Sequence, residues 1–580
     1  MAFSQEGAER VAALGFTCIE LPISWGLPPE LEGNHLSLFQ SAVQHYHRAG
    51  VQVYGWLPIA TCIPRGSYAT QAWYALDPYG QRIPNQRGYY FTALLNPIWQ
   101  TVITEKIQQL TESNADGLIM GGYTAGGTGL LWRGIPLGPI GSYDAISQEQ
   151  YAQVFNHMAI PTTFSSKDPA SQQYLKWRIS TATQVIQQWA ETARHQNPAL
   201  VVQLGVPDAI AANHYLISGL DLDVLPDVDI VIEPPIWSHH PPESAIITPT
   251  ISISASHTRL ASVIPIYGGE RMGSAREFQR NLSEAVALNT SARIQGMGYY
   301  YKNTLTGLLH SRYKPQHEAL QTFNLWLDQQ HNWLHSRTNA SPLAVYYPYE
   351  ATHWQWNPTS QQFIAICQTL LLNGYPLRVV GDDKAWDDVR VLVVPSGSVV
   401  GLDERLTQFI AQGGRIIAVG QKRLKQSPLW RDWRPQRLKP PIWHWLHGRI
   451  QRVFIVARRG YQRYRWVRRG ISYLNKRRPQ SVSMPPPALQ GELIKAIGET
   501  FTPRLESDSP ALLTIWREPD GTQQWHIVNY NEAEQRITLH LGDLTHGEVY
   551  TPGTLSPPAS VVGSSLIFTV DSAKIVRSKG

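Results

Sequence analysis

Three carboxylates stand where a run of apolar residues gives out. Glu233 closes the stretch VDIVIE (228–233) and is followed by Pro234 and Pro235, whose rings fix the backbone just beyond it. A carboxyl group in that position is partly desolvated. Desolvation raises its pKa toward the range in which a protonated acid can donate. Asp208 follows LGVP (204–207), where it either reacts or caps the helix expected from AIAANHY (209–215). Glu270 follows IYGG (266–269) with Arg271 beside it, as a nucleophile or as the acidic half of a loop ion pair. Glu20, in CIELP (18–22), is a weaker fourth. Two carboxyl groups flanking a bond, one protonated and one ionised, are what hydrolysis of a glycosidic linkage ordinarily needs.

Aromatic residues gather at the same kind of boundary. Trp25, Trp56, Tyr123, Trp132, Trp237, Tyr267 and Tyr300 all fall at or near the ends of apolar runs. Flat aromatic faces stack on the apolar faces of sugar rings; the plain alternative for each is packing. The glycine-rich stretch 123–143 has no periodicity, as expected of a lid or binding loop. It lacks the Gly-Lys-Ser/Thr of a phosphate loop. His239 and His240 are adjacent on an extended stretch with no acid or cysteine to complete a site, so no metal is expected. No nucleophile-elbow serine stands out, and the chemistry requires no cofactor.

These residues need a scaffold that brings strand ends together. Over residues 1–340, strand-like and helix-like stretches alternate, the sign of a parallel α/β fold. Strands are predicted at 15–25, 51–60, 115–123, 200–207, 228–233, 261–267 and 292–301, with helices at 36–49, 98–111 and 172–195 between them. That makes seven strands against the eight of a closed (β/α)8 barrel, so the expectation is a barrel lacking its first strand. The structural alternative is a doubly wound open sheet. Residues 341–430 read as a second, Rossmann-like α/β unit from LAVYYP, PLRVVG, VRVLVVPS and GRIIAVG. Residues 490–580 alternate apolar and polar positions between turn signals, as in an antiparallel β-sandwich.

Residues 431–489 join these units through a basic segment and the proline-rich linker PPPALQG. Fifteen Lys/Arg and one acid lie within 431–478, whereas the rest of the chain is net acidic although the whole carries +6. Leu446, Ile450, Val453, Phe454, Ala457, Tyr461, Tyr464, Ile471 and Leu474 recur at helical steps among the arginines. This amphipathic helix over 442–478 docks on the rest of the chain, lies on an anionic membrane surface, or binds an acidic polymer; no nucleic-acid module surrounds it. Cys18, Cys62 and Cys367 form neither zinc spacing nor a disulfide framework. With no secretion signal and no apolar run long enough to span a bilayer, a cytoplasmic protein is expected, peripheral to the membrane if the basic helix binds lipid.

Several stretches resemble a known family. VQVYGWLPIATCIPRG (51–66), ALDPYGQRIPNQRGYYFTALLNPIWQTVITEKI (75–107), YLKWRISTATQVIQQWAETARHQNP (174–198) and DVRVLVVPSGSVVGLDERLTQFIAQGGRIIAVG (388–420) are similar to segments of the family 42 β-galactosidases, in the clan of retaining (β/α)8 glycoside hydrolases. The resemblance implies a barrel, an amidotransferase-like trimerisation domain and a small β domain. It also implies a homo-oligomer, a carbohydrate substrate and retaining hydrolysis of a β-linked glycoside. On that basis Glu270 is the nucleophile candidate and Glu233 the acid/base candidate. The chain departs from the family at strand four, where an Asn-Glu pair is expected and Met120-Gly121-Gly122-Tyr123 stands instead. Glu270 lies a few residues past the expected nucleophile position. The rival expectation is a catalytically inactive carbohydrate-binding or membrane-associated scaffold protein.

Overall fold

The computed structural model describes residues 2–85, 88–121, 131–132, 135–136, 142–162, 168–207, 228–233, 263–267, 274–289, 291–295, 299–301, 304–306, 310–334, 337–347, 362–363, 365–371, 373–381, 386, 388–395, 403–419, 431–433, 487–498, 501–531, 533–542 and 546–578. Some strand positions, among them 206–207, 230–233, 263–267 and 291–293, are described at the backbone only.

Seven strands form one parallel sheet: β1 (Cys18–Pro22), β2 (Gln52–Pro58), β3 (Gly117–Gly121), β4 (Val201–Pro207), β5 (Asp229–Glu233), β6 (Val263–Tyr267) and β7 (Ser291–Gln295). They pair in chain order with no reversal, whereas a doubly wound sheet reverses at a switch point. All seven correspond to predicted strands. Among the described residues β1 and β7 are the edges.

Strand alternation sorts the side chains. On β2, Val53, Gly55 and Leu57 are buried, and a Cβ on Gly55 would lie 2.2 Å from Leu110 and 3.3 Å from Phe39. This face therefore packs against the helices α3 (His35–Arg48) and α4 (Pro97–Glu112). In α3, Phe39, Val43 and Tyr46 repeat at helical spacing and are fully buried. Asn96 starts α4, its side chain accepting from the Ile98 and Trp99 amides, with Pro97 in the first turn.

The second α/β unit holds β9 (Leu343–Tyr346), β10 (Arg378–Val380), β11 (Val391–Pro395), β12 (Arg415–Val419) and β13 (Arg431–Trp433), all parallel, in the order β10-β9-β11-β12-β13. Four of these were expected. The fifth corrects the boundary at 430, because Ile417 to Val419 pair with Arg431 to Trp433. The helix α8 (Asp403–Ala411) ends as the double glycine suggested, with Gly413 at φ +89°. A second correction concerns PPPALQG. From Pro487 it is helical, as the first turns of α9 (Pro487–Ile497), because proline suits the first turn of a helix. Leu493 and Ile497 of α9 join the core that also holds Leu370, Val391 and Ile417.

Apart from three short two-stranded pairs, the remaining described strands make two antiparallel sheets. One has six strands, ordered β8 (Thr338–Asn339), β15 (Ala511–Arg517), β16 (Gln523–Asn529), β21 (Ala573–Ser578), β18 (Gly547–Tyr550) and β19 (Ala559–Val561). The other has three: β14 (Arg504–Ser507), β17 (Gln535–His540) and β20 (Ser565–Val570). Leu505, Leu539 and Leu566 of the smaller sheet share a core with Leu513, Ile515, Ile527 and Val576 of the larger.

The parallel sheet is tied to the six-stranded one through α6 (Ala275–Ala287). The helix opens on a serine cap, Ser274 accepting from the Glu277 amide. Its last carbonyls enter a buried polar network. Thr514 Oγ1 and Trp516 Nε1 donate to the Ala287 carbonyl, at 2.6 and 2.7 Å. Arg337 donates to the Val286 carbonyl (3.1 Å), Asn289 Oδ1 (2.9 Å), Gln524 Oε1 (2.9 Å) and His526 Nε2 (2.9 Å). A cation at a helix C-terminus opposes the negative end of the helix dipole. The same His526 nitrogen lies 2.9 Å from Gln524 Oε1, and the buried Arg337 charge beside it disfavours a charged ring. Burial, and then the Arg337 charge, hold the His526 pKa well below its ordinary value.

Acid should therefore loosen this junction. An unfolded histidine takes up a proton below about pH 6.5. Folded His526 resists it, so stability is full above that pH and falls as pH drops below it. In melting curves from pH 8 to 5, His526→Gln should flatten the acid side of the profile. Arg337→Met should cost about 1–3 kcal/mol at neutral pH, because it leaves buried acceptors unpaired.

Candidate functional site

The carboxyl ends of β1 to β7 are Pro22, Pro58, Gly121, Pro207, Glu233, Tyr267 and Gln295. Glu233 is the single carboxylate among those seven end residues, and its backbone stands opposite Pro207 in the register. Asp208 is next in the chain after Pro207 but lies outside the described residues, as do Glu270, Arg271, Tyr123 and Trp237. His239 and His240 also lie outside them. Trp132, Tyr267 and Tyr300 sit in strands described at the backbone, Trp132 and Tyr300 in two short antiparallel pairs (Leu131–Trp132 with Ile135–Pro136; Tyr299–Tyr301 with Thr304–Thr306). The structure thus places Glu233, Trp25 and Trp56 at one end of the sheet. Among the described residues no group of three His, Cys, Asp or Glu could hold a metal ion.

Glu20 sits lower, paired with Tyr54 and two residues before the end of β1. It belongs to an ionisable group that the sequence did not single out. Burial, and then the charges of Glu20 and Asp116, push the Cys18 thiol up to about 12. Burial, and then Cys18, Asp229 and Asp116, push Tyr54 up to about 12. Both groups stay protonated at neutral pH. Asp116 is anchored, accepting from the Val53 amide (2.7 Å) and pairing with His47 (2.8 Å).

The strand position that lacks its expected carboxylate has a steric explanation. Trp56 and Tyr54 of β2 point away from the helices, toward the face where β3 carries Gly117 and Gly121. A Cβ on Gly121 would lie 1.9 Å from Trp56 Nε1, and one on Gly117 would lie 2.7 Å from the Tyr54 ring. The two glycines leave room for the two aromatics. Any side chain at 121 requires the indole to move, so a carboxylate there and Trp56 in its present place exclude each other.

No family model and no curated protein matches the sequence, but solved structures match over its whole length. A catalytic mutant of Gan42B, a GH42 β-galactosidase from G. stearothermophilus, superposes with a TM-score of 0.66 over 99% of this chain and 95% of its own, at 9% identity. The architecture is close to that of the GH42 β-galactosidases. A β-galactosidase from Bacillus circulans sp. alkalophilus gives 0.64 at 10% identity, covering 99% of this chain and 97% of its own. The α-L-fucosidase isoenzyme 2 from Paenibacillus thiaminolyticus gives 0.59 at 11%, covering 99% and 96%. At such identities the GH42-like architecture is a statement about fold.

Gly121→Ala should cost about 1–3 kcal/mol by overpacking the Trp56 contact. In a Trp56→Ala background the same change should cost little. Melting temperatures of the two single variants and the double variant test this coupling, and additive losses would contradict the contact.

Proposed function

We propose that this chain acts on a β-linked glycoside at the carboxyl ends of β1 to β7, with Glu233 as acid/base and Glu270 as nucleophile of a retaining hydrolysis. The observation that carries the proposal is Glu233, the one carboxylate among the seven strand-end residues of a GH42-like architecture. We read the parallel sheet as a (β/α)-barrel wall, whose catalytic residues come from strand carboxyl ends, and the two antiparallel sheets as a β-sandwich. The amidotransferase-like reading of the middle unit and a homo-oligomer belong to the same proposal.

In this mechanism Glu233, in its protonated form, donates to the leaving oxygen while Glu270 attacks the anomeric carbon. Water then hydrolyses the glycosyl-enzyme with Glu233 as base. Trp25 and Trp56 supply stacking surfaces for the sugar. Turnover of a panel of aryl β-glycosides should fall at least about 100-fold in Glu233→Gln and in Glu270→Gln. Unchanged turnover in both would reject these roles.

The Trp56–Gly121 contact favours a second reading, a cleft that binds a glycan without cutting it. Saturable glycan binding by the folded protein with no turnover of the panel would select it.

The charge of 431–478 supports a peripheral membrane role. The full chain should co-sediment with phosphatidylglycerol vesicles and not with phosphatidylcholine vesicles, and salt should release it. Equal binding to both lipids would remove the electrostatic basis of this role.

A further inference from the structure

Beyond the carboxyl end of β1 an exposed tryptophan is fixed by buried polar groups. Trp25 is 46% exposed, although its backbone is held on both sides. Its amide donates to Glu32 Oε1 (2.9 Å), and its carbonyl accepts from the Tyr89 hydroxyl (2.9 Å). Glu32, at the end of the short helix α2 (Pro29–Glu32), also accepts from the Ser24 hydroxyl (2.5 Å). Its other oxygen pairs with Lys106 of α4 at 3.1 Å, with the Glu32 and Lys106 side chains only 6% and 10% exposed. Ser24 in turn accepts from the Gly26 amide (3.0 Å).

The ring is braced as well. The Trp25 indole lies 5.7 Å from the His35 ring, and buried His35 donates from Nε2 to the Pro22 carbonyl at 2.9 Å. Gly26 has φ +71°, a conformation that favours glycine, and a Cβ there would sit tightly against the Thr61 carbonyl at 3.3 Å.

Removing a carboxylate and an ammonium from water opposes folding, and a surface indole returns little burial in exchange. The arrangement immobilises an apolar face that stays in water. Immobility of that kind lowers the ordering cost of binding a flat partner.

We propose that Trp25 is a preorganised stacking platform for a pyranose ring of the glycoside, and that Glu32 and Lys106 are its positioning residues, acting on the ligand through Trp25. The inference rests on the glycoside reading and deepens it by naming the residues that hold the Trp25 surface in place.

The experiment uses the full chain and a panel of 4-nitrophenyl β-glycosides, with affinities from calorimetry for wild type, W25A, W25F, E32Q and W25A/E32Q. W25A should weaken binding about tenfold with its melting temperature unchanged, and W25F should restore part of the loss. E32Q keeps an acceptor for the Trp25 amide but no longer pairs with Lys106. It should weaken binding in the wild-type background and have no further effect in W25A. With 5-fluorotryptophan incorporated, the Trp25 resonance, assigned by its loss in W25F, should be shifted or broadened in E32Q without ligand. Wild-type affinity in W25A overturns the platform and leaves the glycoside reading standing. Additive effects of E32Q and W25A reduce Glu32 to a structural residue. If wild type binds none of the glycosides, the functional reading fails and the platform fails with it.

Discussion

The contact between Trp56 and Gly121 governs what the carboxyl end of the parallel sheet can present. Strand pleating sends Tyr54 and Trp56 to one face of β2. The neighbouring strand accepts them only because Gly117 and Gly121 have no side chains. Helix packing on the opposite face constrains β2 equally, since Gly55 lies under Leu110 and Phe39. A strand pressed from both faces cannot slide or tilt to make room. The indole stays near the strand end, and while it does a carboxylate at position 121 is excluded. Among the seven strand-end residues, Glu233 is the one that carries a carboxyl group.

The other end of the sheet is fixed by a buried polar network beside an apolar cluster in which Phe278, Leu282 and Val286 of α6 meet Ile575 of β21. Arg337 reaches the last turn of α6 and the side chains of β16 together. Glu518 and Arg577 form a two-point ion pair beside it, and Gln524 links Glu518 to the Trp333 carbonyl. Each member satisfies another, so the network transmits orientation as well as adhesion. The parallel sheet and the antiparallel sheets are held at a set angle, and the strand ends keep their geometry.

Much of this was legible in the sequence. The seven strands announced themselves because each is a short apolar run between helical repeats, and buried parallel strands read that way. The glycine stop of α8 was readable for the same local reason. Strand β13 was not, since Arg431, Asp432 and Trp433 carry no strand pattern and pair only because β12 offers an edge. Proline misled at 487, where it opens a helix. In the candidate site, Glu233 and Trp25 were visible from their places at the ends of runs. The Glu32–Lys106 pair was not, because its members are 74 positions apart and meet only when α2 and α4 pack. The glycines at 117 and 121 could have flagged the Trp56 contact, because glycine inside a strand often marks a close approach.

Strand β8 has only two residues, yet it sets an order of events. Thr338 and Asn339 pair with Arg517 and Trp516, so the chain touches the six-stranded sheet before entering the second α/β unit and returns to it afterwards. That unit is an insertion between strands of one sheet. Thr338 and Arg517 are 179 positions apart. During synthesis the second unit can collapse on its own local contacts, while β8 waits for a partner not yet made. The edge of β15 that β8 covers is thus sealed late, by a segment that left the ribosome early.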